Sequence, residues 1–151
     1  MGAEMMDVLL VEPEKFPQRV QMENSLEALQ KAVGGNIEAA YFFNDPVAVI
    51  ANEEGKIDGL PLNRSVYGSD GQALDIMAGT FLVVGLTEDD FGSLTEEQMQ
   101  KYEERFHSPE RFMMTMDGIR VFRVPDEDVR KQMEKGQKCA APKTRNHEEC
   151  L

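Results

Sequence analysis

The most apolar run in the chain, Thr80-Phe81-Leu82-Val83-Val84-Gly85-Leu86, limits the fold more than any other segment. A short uncharged run rich in β-branched and aromatic residues predicts a central strand. Val47-Ala48-Val49-Ile50-Ala51 has the same character. Residues 5–12 read as a first strand, apolar on both faces in its middle. Arg19-Val20-Gln21-Met22 alternates as a short second strand, and Ile37, Ala39, Tyr41 and Phe43 alternate with more polar or smaller neighbours.

The turns between these runs decide how they pair. Asn44-Asp45-Pro46 is too short for a parallel crossover, so the strands on either side form an antiparallel hairpin. Asp117-Gly118, between Phe112–Met116 and Ile119–Val124, suits a type I′ turn and predicts a second hairpin. Pro61 excludes a regular central strand across residues 59–64, and Ser69-Asp70-Gly71 is a further turn.

Helices fill the remaining stretches. Asn24 with Glu27 forms a capping box, Leu26, Leu29 and Val33 share one helical face, and Gly34-Gly35 stops the helix. Ser93 with Glu96, and Thr95 with Gln98, give two overlapping capping boxes. The helix after them has Met99, Tyr102 and Phe106 inside, and Pro109 ends it. Pro125-Asp126-Glu127-Asp128 starts a last helix anchored by Val129 and Met133. The fold class is therefore α+β: a mainly antiparallel sheet of about five to seven strands, two main helices and a short C-terminal helix. A single domain over 5–124 is expected, with the helix at 125–137 and a polar, disordered tail at 138–151.

Charge narrows the function. The net charge is −12. It divides into −14 over residues 1–117 and +2 over residues 118–151. A surface this acidic repels phosphate backbones, so direct nucleic-acid binding by the main domain is disfavoured. The same acidity gives solubility, or mimics nucleic acid for a basic partner. Only Cys139 and Cys150 are present, both near the end, which suits free thiols in a reducing, cytoplasmic setting. No run reaches the roughly 18 apolar residues of a membrane span, and the start lacks the pattern of a signal peptide.

No G-x-S-x-G, H-E-x-x-H or phosphate-loop motif occurs, and neither His107 nor His147 lies in a recognisable catalytic motif. Cys139, His147 and Cys150 lack paired metal-ligand spacing and a fourth ligand, so neither metal nor cofactor is expected. Adjacent acids such as Glu53-Glu54, Asp89-Asp90 and Glu103-Glu104 point apart and form no shared dyad. The candidate recognition patch is Asn63-Arg64, an amide and a guanidinium at the rim of the core. A structural role would have Asn63 close a turn and Arg64 pair with Glu53 or Asp58. A functional role would make Arg64 a fork for carboxylate or phosphate.

Three stretches, residues 52–56, Gly59-Leu60-Pro61-Leu62-Asn63-Arg64, and Asp75-Ile76-Met77-Ala78-Gly79-Thr80-Phe81 with Gly85, resemble the family called domain of unknown function 3846. Val8–Pro13 and Ser25–Gln30 are similar to it as well, so the likeness covers about residues 5–112. It implies a bacterial or phage protein of mobile elements, and it carries over no activity or catalytic residue. Three functions follow as expectations: a non-enzymatic accessory protein with a protein partner, an acidic decoy for a basic DNA-binding protein, and a small-ligand binder or enzyme at Asn63 and Arg64.

Overall fold

The apolar run forms a strand with both edges occupied. In the computed structural model, which describes residues 4–55, 59–67 and 73–140, β1 (Met5–Val11) and β4 (Val47–Asn52) flank β7 (Phe81–Leu86). Both pair antiparallel with it, so Leu82 lies opposite Leu10 on one side and Ile50 on the other. β2 (Gln18–Glu23) extends the sheet beyond β1, and β3 (Ile37–Ala40) extends it beyond β4. The two-residue β8 (Phe91–Gly92) pairs with the end of β7. Among the described residues this sheet has six strands, ordered β2-β1-β7-β4-β3 with β8 beside β7. Two further antiparallel pairs stand apart from it: β5 (Leu62–Tyr67) with β6 (Ala73–Ala78), and β9 (Glu110–Thr115) with β10 (Gly118–Arg123). The class is α+β and the sheet mainly antiparallel, as the runs and turns predict.

Strand alternation sends successive side chains to opposite faces, and each face has its own cover. One face presents Met6, Val8, Ala48, Ile50, Leu82 and Val84 to Leu29 and Val33 of α1 (Leu26–Val33). The other presents Leu9, Val11, Val47, Val49, Phe81 and Val83 to Met99, Tyr102 and Phe106 at α2 (Glu96–Arg105), and to Val66 and Met77 of the β5–β6 pair. Each large side chain so buried stabilises the fold by roughly 1.5–3 kcal/mol before entropy is counted.

Several local expectations shift by a residue or more. Ser25, not Asn24, caps α1, accepting the Ala28 N–H at 3.1 Å. The Asn24 side chain instead reaches Phe91 O at 2.8 Å and ties α1 to β8. Leu26, in the first turn, is 59% exposed, while Leu29 and Val33 are buried as expected. Gly34 ends the helix at φ 81°, the left-handed conformation its missing Cβ allows. The Thr95–Gln98 capping box is complete, whereas Ser93 Oγ accepts the Asp7 N–H. β3 stops at Ala40, so Tyr41 is exposed while Phe42 and Phe43 fold back against the core. β5 starts directly after Pro61, which needs no ladder N–H from the proline.

The turn of the second hairpin sits one residue earlier than expected, which moves the pairing register by two. Gly118 pairs with Thr115, so Met116 and Asp117 are the loop. The last helix is not short: α3 (Asp126–Ala140) is the longest of the three among the described residues. Its backbone therefore stays helical through residues 138–140, which had been assigned to the tail. The Ser69-Asp70-Gly71 turn, Asp58 and residues 141–151, with His147 and Cys150, lie outside the described residues.

One contact between the sheet connection and α2 makes stability pH-dependent. Lys101 Nζ and Tyr102 Oη both donate to Asp45 Oδ2, at 2.6 and 2.7 Å. The Lys101 bond, followed by the Tyr102 bond, holds the Asp45 carboxyl below its usual range. Burial, then Asp45, pushes the Tyr102 phenol up. Because the folded Asp45 pKa lies below its unfolded value near ~3.9, its stabilisation is complete above that value and is lost as pH falls through the folded pKa. Urea unfolding of Asp45→Asn across an acid pH series should therefore lose stability less steeply below about pH 4 than the parent does.

Candidate functional site

Asn63 and Arg64 lie at the centre of a buried polar lock. The carbonyl of Pro61 accepts the Gly79 N–H at 2.7 Å, which closes the start of β5 onto the turn before β7. Gly79 sits at φ 78°, a left-handed conformation that favours glycine, with Leu60 packed against it. Asn63 Nδ2 then donates to Val11 O and Gly79 O, both at 2.9 Å, and its Oδ1 accepts from Arg64 Nη1 at 2.7 Å. Arg64 Nε donates to Phe106 O at 2.9 Å, and Nη2 donates to Lys15 O at 2.7 Å. Phe106 is the C-cap of α2, so the cation also answers a helix-terminal carbonyl that has no partner further along. One guanidinium thus ties together β5, the β1–β2 connection and the end of α2, a task suited to its fixed fork of donors.

This differs from the rim position expected for both residues. Asn63 is 0% and Arg64 1% exposed, and Arg64 is bound by carbonyls and an amide, not by Glu53. Asp58, the other expected partner, is outside the described residues. No carboxylate among the described residues lies within ion-pair distance of Arg64. Burial pushes its pKa down to about 10, with Glu110 and then Glu14 opposing from further away. It is therefore still charged at neutral pH.

Arg64 borders a cleft of about 770 Å³. Ser65 of β5, Arg105 and His107 at the end of α2, and Glu110 and Arg123 of the β9–β10 hairpin line it with Arg64; Asn63 does not. Ser65 N donates to Glu110 Oε1 at 2.7 Å, while Ser65 Oγ is buried and has no hydrogen-bond partner. Arg105 lies over the Phe43 ring at 4.6 Å and donates to Tyr67 O. His107 stacks on Phe16 at 4.8 Å, with Nε2 3.0 Å from Asp126 Oδ2. Arg123 is exposed and makes no ion pair among the described residues. Of the acids at the cleft, Glu103 is held by Arg19 at 2.7 Å.

Ser65, His107 and Asp126 have the residue types of a hydrolytic triad, but Ser65 Oγ receives no bond from His107. The nucleophile–base contact is not made. No group of three or more His, Cys, Asp or Glu among the described residues could hold a metal ion. No helix among them is long and apolar enough to cross a membrane. Ser65, Arg105 and Arg123 escaped the sequence reading because each is an ordinary residue locally; only the fold brings them to one opening.

The fold and cleft define the class: an α+β domain with arginines gathered beside a polar opening. The family model described as Domain of unknown function (DUF3846) matches residues 6–107, and the chain belongs to that family. That span holds the whole Asn63–Arg64 lock and ends where the β9–β10 hairpin is about to begin. Comparisons with curated proteins and with solved structures gave no match.

Proposed function

We propose that the chain is a non-catalytic accessory domain that binds a small ligand through a carboxylate or phosphate group in the cleft beside Arg64. The observation that carries this reading is the buried Arg64 charge, which has no carboxylate partner among the described residues, at the wall of an opening in a chain of net charge −12. A buried cation that only Glu110 and Glu14 offset, without an ion-pair contact, projects part of its field into the nearest cavity. Arg105 and Arg123 beside it add forked donors suited to a planar anion. Competing acids are partly occupied, Glu103 by Arg19 and Glu110 by the Ser65 N–H. The cytoplasmic setting expected from the cysteines, and the bacterial or phage mobile-element setting implied by the family resemblance, are part of this proposal.

The test is an amide-resolved NMR titration of the full chain with citrate and, separately, adenosine monophosphate. Saturable shifts at Ser65, Arg105, His107 and Arg123 that weaken with added salt are expected. Shifts spread over the surface, or none at millimolar ligand, would remove the reading. A protein-interaction role is the second reading. It is favoured by the hairpin, where Met113, Met114, Met116, Ile119 and Phe122 are all exposed large apolar residues.

A further inference from the structure

The β9–β10 hairpin has an open edge whose phase can be read. Val124 donates its backbone N–H to Pro109 O at 2.8 Å, making Pro109–Val124 a hydrogen-bonded position of the ladder. Such positions alternate in an antiparallel pair, so Arg111–Phe122, Met113–Arg120 and Thr115–Gly118 are hydrogen-bonded too. The N–H and C=O groups of Ile119, Val121 and Arg123 therefore point away from β9. No strand among the described residues pairs with them.

We infer that β10 pairs antiparallel with β10 of a second copy of this chain, centred on Val121. A two-fold axis normal to the sheet keeps each residue on its own face; among the possible centres, Arg120 would oppose two arginines, and Phe122 would set Ile119 against Pro125, which has no N–H to give. Centring on Arg123 would oppose two arginines, and centring on Ile119 would leave most of the strand unpaired. Centring on Val121 aligns Ile119, Val121 and Arg123 with the partner's Arg123, Val121 and Ile119, forming about six backbone hydrogen bonds. Arg120 then faces the partner's Phe122, a cation over an aromatic ring, and does so twice by symmetry. No like charges stand opposite one another.

Two features favour this occupant. The ribbon is tied to the body through β9, by Glu110 to the Ser65 N–H and by Arg111 to Glu14, which leaves the β10 edge open, and self-pairing turns its two strands into four. The edge itself carries Arg120 and Arg123 and no acid, so the contact uses the least acidic part of the chain. The pairing also seats the partner's Ile119 beside Arg123, at the rim of the cleft.

Sedimentation equilibrium of the full chain tests this, joined to amide hydrogen exchange. A dimer at high micromolar concentration is expected, tightening with salt as the acidic bodies are screened. The amides of Ile119, Val121 and Arg123 should be protected in the dimer and lose that protection on dilution. Val121→Pro removes an outward N–H that β9 does not use. It should give monomer with an unchanged circular dichroism spectrum. A chain that stays monomeric, a dimer in which these three amides exchange freely, or a folded Val121→Pro chain that still dimerises would each overturn the inference. Exchange in the unmodified chain decides the matter should the proline variant not fold.

Discussion

Arg64→Ala is expected to cost about 4 kcal/mol of folding stability, a large share of what a small domain has. Truncation strands three acceptors at once: the buried Phe106 O and Asn63 Oδ1, and the part-buried Lys15 O. An unpaired buried polar group costs about 1–3 kcal/mol, and the vacated volume adds to the loss. Arg64→Lys keeps the charge but presents one donor centre in place of a planar fork, so it should recover only part of the stability. Urea unfolding of the three chains measures both effects. A loss below about 1 kcal/mol for the alanine variant would mean that these bonds contribute no more than an exposed pair does.

Gly85→Ala should be nearly as damaging, at about 3 kcal/mol. Gly85 lies in the central strand β7, where a Cβ would overlap Ser93 O and stand 2.9 Å from Ser93 C. Both are backbone atoms, so no side chain can rotate away. The segment from β8 to α2 would have to move. Ser93 also holds the Asp7 N–H through its Oγ, so the displacement reaches β1. A thermal midpoint lower by about 6–12 °C is the expected reading for a domain of this size. An unchanged midpoint would show that the connection yields freely.

The residues explain which parts of this fold could be read in advance. β7, the β3–β4 hairpin and the buried face of α2 follow from runs, turns and periodicity within a few positions of one another. Arg64 was legible as a candidate but not as a buried one. Its acceptors Phe106 and Lys15 lie 42 and 49 positions away, and carbonyl acceptors leave no trace in side-chain sequence. Arginine therefore looks like surface until the segments meet. The strand after Pro61 was hidden for a related reason: the proline sits just before the ladder, where its missing N–H costs nothing. The Asn24-Ser25 pair offers two good caps in succession, and the choice between them is made by Phe91, which claims the asparagine.

The family likeness gains a physical basis from the same contacts. Leu60, Pro61, Asn63, Arg64 and Gly79, which carry the resemblance, are residues of the lock or of the close approach beside it. What they hold together is the wall of the cleft. Its accessible charge comes from residues such as Arg105 and Arg123, the second of which lies beyond the matched span.

The most direct test of the cleft as an anion site is calorimetric titration of citrate into the parent chain and into Arg123→Gln. Arg123 makes no ion pair among the described residues, so its replacement should leave the stability of the chain unchanged. Losing one charge-assisted contact should weaken binding about tenfold, or ~1.4 kcal/mol. Equal affinity in the two chains would contradict the account.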